Sequence, residues 1–133
     1  MLIIADRILT DTGTYLEGGA VLVEGDAIAA VGPRADVVRQ AGPGVRQLVH
    51  SGTVLPGLID SHVHLIFDGG TDPVAGLGES DEVLHERMCR RAERLLRAGV
   101  TTARDLGDRG GLAFRVAGPD RPRTAGRSPP RGR

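Results

Sequence analysis

Two histidines, His62 and His64, stand two positions apart in a segment whose pattern predicts a β-strand. Alternate side chains of a strand project from the same face, and their Cα atoms lie roughly 6.6 Å apart. A neutral imidazole binds a zinc-like ion at about 2.0–2.1 Å, so one ion can contact both rings while further ligands come from elsewhere. The spacing therefore predicts a pair of metal ligands. The alternative is that both histidines serve packing or hydrogen bonding on a half-buried strand.

Three charged residues near strand ends are further candidates. Asp60 can orient the strand end or a ligand histidine, or it can cap a backbone turn, and the sequence leaves both readings open. Arg104 and Asp105 can contact substrate or each other, and we favour a structural ion pair between them. The remaining side chains of ligand type are interpreted as packing or surface residues: His50, His85 and Cys89.

The elements around the histidines predict a βαβ unit. A Pro-Gly pair precedes the near-continuous apolar run 58–65, which is typical of a strand buried on both faces. A loop then leads to a helix at about 80–98, capped by Ser80 or Asp81 and with apolar residues at helical spacing. A second apolar strand follows at 100–106. This order favours a parallel sheet, and in a parallel barrel the carboxyl end of each strand faces the mouth where active sites lie.

The first third of the chain predicts a small, mostly β module. Short apolar runs alternate with turn residues, and the segment 24–27 is typical of a hairpin connection because Gly tolerates positive φ. A helix is predicted at 33–41, with Pro33 at its start. The predicted strands cover residues 2–5, 20–23, 27–31 and 45–49.

Composition restricts the classes of partner. The 17 acidic and 17 basic residues balance, so we expect neither nucleic acid nor an anionic membrane as partner. Aromatic residues make up only 2%, so the core must be aliphatic, and a single cysteine excludes an intramolecular disulfide. With no apolar run of membrane-spanning length and no signal peptide, we expect a cytoplasmic protein. Residues 115–133 are rich in Arg, Pro and Gly and are predicted to be disordered; a nucleic-acid-binding tail is the weaker alternative because aromatics are missing.

Three segments carry a resemblance to a known family. Residues 56–65 resemble the metal-binding signature of the amidohydrolase superfamily, in which the equivalent histidines bind the more buried metal. Residues 25–32 look like that superfamily's N-terminal β-sandwich, and residues 98–107 resemble the second barrel strand of its imidazolonepropionase-like and prolidase-like branch. The resemblance covers roughly residues 1–114.

The resemblance implies an α/β fold with a β-rich N-terminal module: a β-sandwich portion at 1–55 and the start of a (β/α)₈ barrel, a TIM barrel, at 56–114. It further implies hydrolysis of a carbon–nitrogen bond in a small-molecule amide, cyclic amide or dipeptide by metal-activated water. One or two divalent ions, zinc above all, would be bound by His62 and His64, with Asp60, Arg104 and Asp105 as supporting residues around them.

The departures from the family pattern are equally clear. A barrel of this kind needs about 250 residues, and this sequence offers about two of its eight strands. The family completes its metal site with a carboxylated lysine or an equivalent acid, two further histidines and a late aspartate, whereas all 17 basic residues here are arginine. We therefore expect a truncated or frameshifted chain. The competing interpretation is a catalytically inactive fragment that acts as an interaction module and self-associates through exposed sheet edges.

Overall fold

The computed structural model describes residues 1–11 and 13–118 of the chain. It divides into two compact units, Met1–Pro56 and Gly57–Arg133. The elements in chain order are β1 (Leu2–Asp11), β2 (Thr14–Glu24), β3 (Ala27–Pro33), α1 (Arg34–Ala41), β4 (Gln47–Val54), β5 (Leu58–Val63), a 3₁₀ turn (Ala75–Gly78), α2 (Asp81–Arg97), β6 (Val100–Asp105) and α3 (Leu112–Ala117). Among the described residues, no helix has both the length and the apolar character required to cross a membrane.

The first unit is a four-stranded sheet in the order β3-β2-β1-β4 with α1 following β3. The β1–β2 and β2–β3 pairs are antiparallel, and β4 is parallel to β1. The predicted hairpin is confirmed: β2 and β3 join through Gly25, whose φ of 59° lies in the region that favours glycine. One aliphatic cluster lies between the sheet and Val37 of α1.

The strands of this unit are longer than the apolar runs predicted. β1 continues to Asp11, and β2 begins at Thr14 and not at residue 20. These extensions carry polar side chains because an antiparallel hairpin can leave one face in solvent, and such residues do not register as an apolar run. The interpretation of residues 1–55 as a sandwich portion stays a prediction.

The second unit contains the predicted βαβ order. β5 and β6 form a parallel two-stranded sheet, and α2 connects them. The Ser80 side chain accepts a hydrogen bond from the Val83 N–H at 3.4 Å, which assigns the N-cap to Ser80 and not to Asp81. Gly99, with φ of 90°, ends the helix.

The core of the second unit lies beyond the end of β5 and not on the faces of the strand. Ile66 packs with Leu84 and Met88 of α2 and with Leu112 of α3. The prediction of a strand buried on both faces is wrong within the described residues, because Ile59 is 74% exposed and Leu58 is 49% exposed. A two-stranded sheet covers too little of β5 to bury both faces.

The predicted disordered segment at 115–133 needs a correction at its start. Arg115, Val116 and Ala117 belong to α3, and Val116 packs against the buried cluster around Ile66. That apolar contact gives the residues a reason to be ordered that composition alone does not reveal. The rest of the segment, from residue 119 onward, lies outside the described residues.

Candidate metal centre

His62 lies in β5, and His64 follows directly after the strand. The centroids of their rings are 5.3 Å apart, and the ring planes meet at 68°. The rings are therefore neighbours, as the spacing of two residues along a strand predicts. His62 is exposed and His64 is half-buried, so the pair faces solvent from the end of the strand.

The His64 ring is held in a defined orientation. Its Nδ1 atom lies 3.0 Å from the carbonyl oxygen of Gly107, just beyond β6. Because a carbonyl oxygen only accepts, a hydrogen bond here requires the proton on Nδ1, and in a neutral imidazole Nε2 then has the lone pair. The Phe67 ring lies against the same imidazole with a centroid separation of 5.4 Å. In metal sites generally, a ligand histidine often donates its second ring N–H to a backbone carbonyl in the same way.

Asp105 connects the ends of the two strands. One carboxylate oxygen accepts a hydrogen bond from the Leu65 N–H and the other from the Gly107 N–H, both at 3.0 Å. Within the described residues, no ion pair joins Asp105 to Arg104, so the favoured ion pair is wrong. Successive side chains of a strand project to opposite faces, which keeps Arg104 away from the carboxylate.

Asp60 contacts the backbone next to a candidate ligand. Its Oδ1 atom accepts a hydrogen bond from the N–H of His62 at 3.0 Å. This contact is compatible with both readings left open by the sequence, because the capped backbone belongs to the strand end that carries the His62 ring. By fixing the peptide of His62, the carboxylate stabilises the strand end on which the ring is mounted.

Arg91 of α2 is a residue that the sequence interpretation missed. Its Nη1 atom donates to the carbonyl oxygens of Leu65 at 2.7 Å and Ile66 at 3.2 Å. Burial lowers the pKa of Arg91 because desolvation disfavours the charged guanidinium, whereas the nearby Asp68 carboxylate acts in the opposite direction. A signal existed in the sequence: Arg91 lies seven residues after Leu84, on the apolar stripe of the helix.

The donor set of the pair fits a divalent ion in part. With metal–nitrogen bonds of about 2.0–2.1 Å and a tetrahedral angle, the centroids of two bound imidazoles are about 5 Å apart, close to the observed 5.3 Å. Among residues 1–11 and 13–118, however, no group of three or more His, Cys, Asp or Glu side chains could hold a metal. The described residues thus bring two imidazoles together without joining them to a third side chain in a group that could hold a metal.

The other histidines lie on different elements. His50 belongs to β4 of the first unit. His85 lies on α2, where its Nε2 atom is 3.7 Å from the sulfur of Cys89, one helical turn later. Among the described residues, neither histidine joins the His62–His64 pair in a group of three or more possible metal ligands.

Comparison with solved structures defines the class of protein. The chain aligns with molinate hydrolase at a TM-score of 0.71 and 25% identity, covering 86% of this chain and 25% of that one. It aligns with Aspergillus niger ochratoxinase at a TM-score of 0.65 and 26% identity, covering 78% of this chain and 24% of that one. These neighbours have the amidohydrolase fold, of which this chain contains a part.

The sequence comparisons give the family. The model of the amidohydrolase family matches residues 53–117, and that of the bacterial imidazolonepropionase-like composite domain matches residues 19–41. An imidazolonepropionase of Anaeromyxobacter dehalogenans is 35% identical over 73% of this chain. The chain belongs to the amidohydrolase superfamily, whose members are generally metal-dependent. It spans 29% of the length of that relative.

Proposed function

We propose that this chain supplies the first metal-binding strand of a hydrolase that cleaves carbon–nitrogen bonds in small-molecule amides. The imidazolonepropionases among the relatives support a cyclic substrate, whereas the N-substituted formamide deformylase of Arthrobacter pascens, 45% identical over 53% of this chain, supports a linear one. Both activities belong to proteins much longer than the matched part of this chain, so the substrate class is part of the proposal.

The observation that carries the proposal is the His62–His64 pair, in which Nδ1 of His64 contacts the Gly107 carbonyl oxygen. Two adjacent imidazoles alone would be compatible with a packing role. The Gly107 carbonyl oxygen, however, is positioned to accept a hydrogen bond from Nδ1 of His64, which in the neutral ring leaves the lone pair on Nε2, and the His62 ring is a direct neighbour. That geometry supports metal binding because it fixes in advance the nitrogen that must be unprotonated.

The residues of the chain have separable tasks in this function. When bound, a divalent ion supplies a Lewis acid for the amide carbonyl and activates water for attack on it. His62 and His64 would hold the ion through ring nitrogens, and zinc suits such ligands best. Asp60 holds the peptide of His62, while Gly107 orients the ring of His64.

Calorimetric titration with zinc tests this assignment. We expect weak binding by the 133-residue chain, since two imidazoles fill half of a tetrahedral shell, and loss of that binding in His62→Ala and in His64→Ala. His50→Ala and His85→Ala remove the same side chain elsewhere and serve as matched controls that should bind as the unaltered chain does. If the double variant His62→Ala/His64→Ala retained the full affinity, the assignment of the ligands would be wrong.

A second candidate function is supported by the exposed surface of β5. Leu58 and Ile59 are exposed apolar side chains on opposite faces of a two-stranded parallel sheet, and such strands are normally covered. These exposed side chains favour an interaction module that acts without catalysis. The two candidates differ in one measurement, because only the hydrolase requires zinc affinity to depend on His62 and His64.

A further inference from the structure

The peptide that follows His64 is held by two charged side chains of opposite sign. The N–H of Leu65 donates to the carboxylate of Asp105 at 3.0 Å, and its carbonyl oxygen accepts from the guanidinium of Arg91 at 2.7 Å. Hydrogen bonds to ionised groups are roughly twice as strong as those between neutral groups. Both polar groups of this one residue are thus fixed by side chains from other elements, one from β6 and one from α2.

Arg91 and Asp105 also form hydrogen bonds with backbone groups of other residues. Arg91 also donates to the carbonyl of Ile66, whose side chain is buried in the core of the second unit. The second oxygen of Asp105 accepts from the N–H of Gly107, the residue whose carbonyl contacts the His64 ring. Asp105 therefore fixes the backbone next to His64 and also the acceptor that orients its imidazole.

Arg91 lies at a position of α2 that does not favour a charged side chain. The pKa of Arg91 is lowered by desolvation, which means that the helix places a charge where burial disfavours it. Neighbouring Arg90 and Arg94 lie on more exposed positions of the same helix. An apolar residue at position 91 would continue the stripe formed by Leu84 and Met88, but it would leave the carbonyl of Leu65 without this donor.

We propose that Arg91 and Asp105 are positioning residues that hold the imidazole of His64 in the Nδ1–H tautomer, with Nε2 directed outward as a donor atom. The consequence for metal binding rests on the proposed function, whereas the effect on the tautomer does not. Loss of either side chain lets the turn after β5 relax, so the Gly107 carbonyl no longer selects one ring nitrogen.

The first test uses the metal-free, ¹⁵N-labelled 133-residue chain. Long-range ¹H–¹⁵N spectra of the imidazoles distinguish the two tautomers, and the His64→Ala variant identifies the His64 signals. We expect a single Nδ1–H form in the unaltered chain and a mixture of tautomers in Arg91→Gln and in Asp105→Asn. Arg90→Gln is the matched control, because the guanidinium of Arg90 pairs with the exposed Glu86 of its own helix at 2.8 Å.

Asp72→Asn is the corresponding control for the loss of a carboxylate, since Asp72 accepts a hydrogen bond from the N–H of Val74 in its local turn. Arg91→Lys keeps the positive charge but lacks the planar guanidinium, so the tautomer mixture should lie between those of the unaltered chain and Arg91→Gln. This milder variant keeps the test valid if Arg91→Gln does not fold. An unchanged Nδ1–H form in Arg91→Lys, Arg91→Gln and Asp105→Asn would overturn the inference.

The second measurement separates this inference from the proposed function. Zinc titration of Arg91→Gln and Asp105→Asn should show affinities about 10-fold to 100-fold below that of the unaltered chain, the usual effect of removing a group that supports a ligand. If the tautomer shifts but no form of the chain binds zinc, the positioning role stands and the metal function falls. If zinc binds and the tautomer never shifts, the metal function stands and the positioning role falls.

Discussion

Gly57, which directly precedes β5, has no room for a side chain. A methyl group built on it overlaps Oγ1 and Cγ2 of Thr101 and lies 2.7 Å from its Cβ. The backbone conformation is not the cause, because Gly57 is absent from the glycines with positive φ. Gly57→Ala must therefore push β5 away from β6 near the point where the Leu58 N–H donates to the Gly99 carbonyl at 2.9 Å.

The cost of this overlap can be estimated. Overpacking by one carbon costs about 1–3 kcal/mol, and a clash with a Cβ atom cannot be relieved by rotating a side chain. We expect a loss of about 3 kcal/mol, which lowers the equilibrium constant for closing the β5–β6 sheet roughly 100-fold. Hydrogen exchange of the Leu58 and Leu106 amides measures it, since both donate across this sheet.

Two further variants make the measurement decisive. Gly78→Ala is the matched control, because a Cβ there meets nothing within 4 Å and Gly78 needs no positive φ. Thr101→Ala removes two of the three overlapping atoms and should restore part of the protection lost in Gly57→Ala. Equal protection of both amides in Gly57→Ala and Gly78→Ala would refute the reasoning.

The remaining predictions concern packing, capping and association. Met88→Ala should lower the thermal stability of helix α2 by about 2–5 kcal/mol, because Met88 is 0% exposed, whereas Leu96→Ala, at 62% exposed, should change it little by circular dichroism. Ser80→Ala should lower the free energy of unfolding by about 1 kcal/mol in the same assay, since the Ser80 side chain accepts a hydrogen bond from the first turn of the helix. A loss of stability in Leu96→Ala as large as that in Met88→Ala would contradict this view of the helix. The chain should self-associate in a concentration-dependent manner on a sizing column, and Ile59→Asp should reduce this association because Ile59 is 74% exposed. A chain that stays monomeric at all concentrations would contradict this prediction.

The parts of the fold that were predictable depend on local patterns. The helix α2 has an N-cap serine, an amphipathic stripe and a terminal glycine, and each of these signals acts within a few residues. The adjacency of the two histidine rings was also predictable, because alternation along a strand fixes it. The β-rich module and the parallel βαβ order followed from the same periodicities.

The features of the site that the sequence did not predict depend on contacts between residues far apart in sequence. Arg91 reaches Leu65 across 26 positions, and Asp105 reaches it across 40, so no local pattern shows that all three meet. The interpretation of the apolar run 58–65 as a strand buried on both faces was wrong for a related reason. An apolar run shows that a strand can be buried, but its burial depends on which other elements cover it.

The central claim is that His62 and His64 together bind a divalent ion through their imidazole nitrogens. X-ray absorption at the zinc edge of the loaded 133-residue chain tests it directly, because imidazole rings give a characteristic scattering pattern. We predict two imidazole nitrogens at about 2.0–2.1 Å, with the imidazole signal lost in His62→Ala/His64→Ala and kept in His50→Ala/His85→Ala. An imidazole signal that survives the first double variant and disappears in the second would contradict the account.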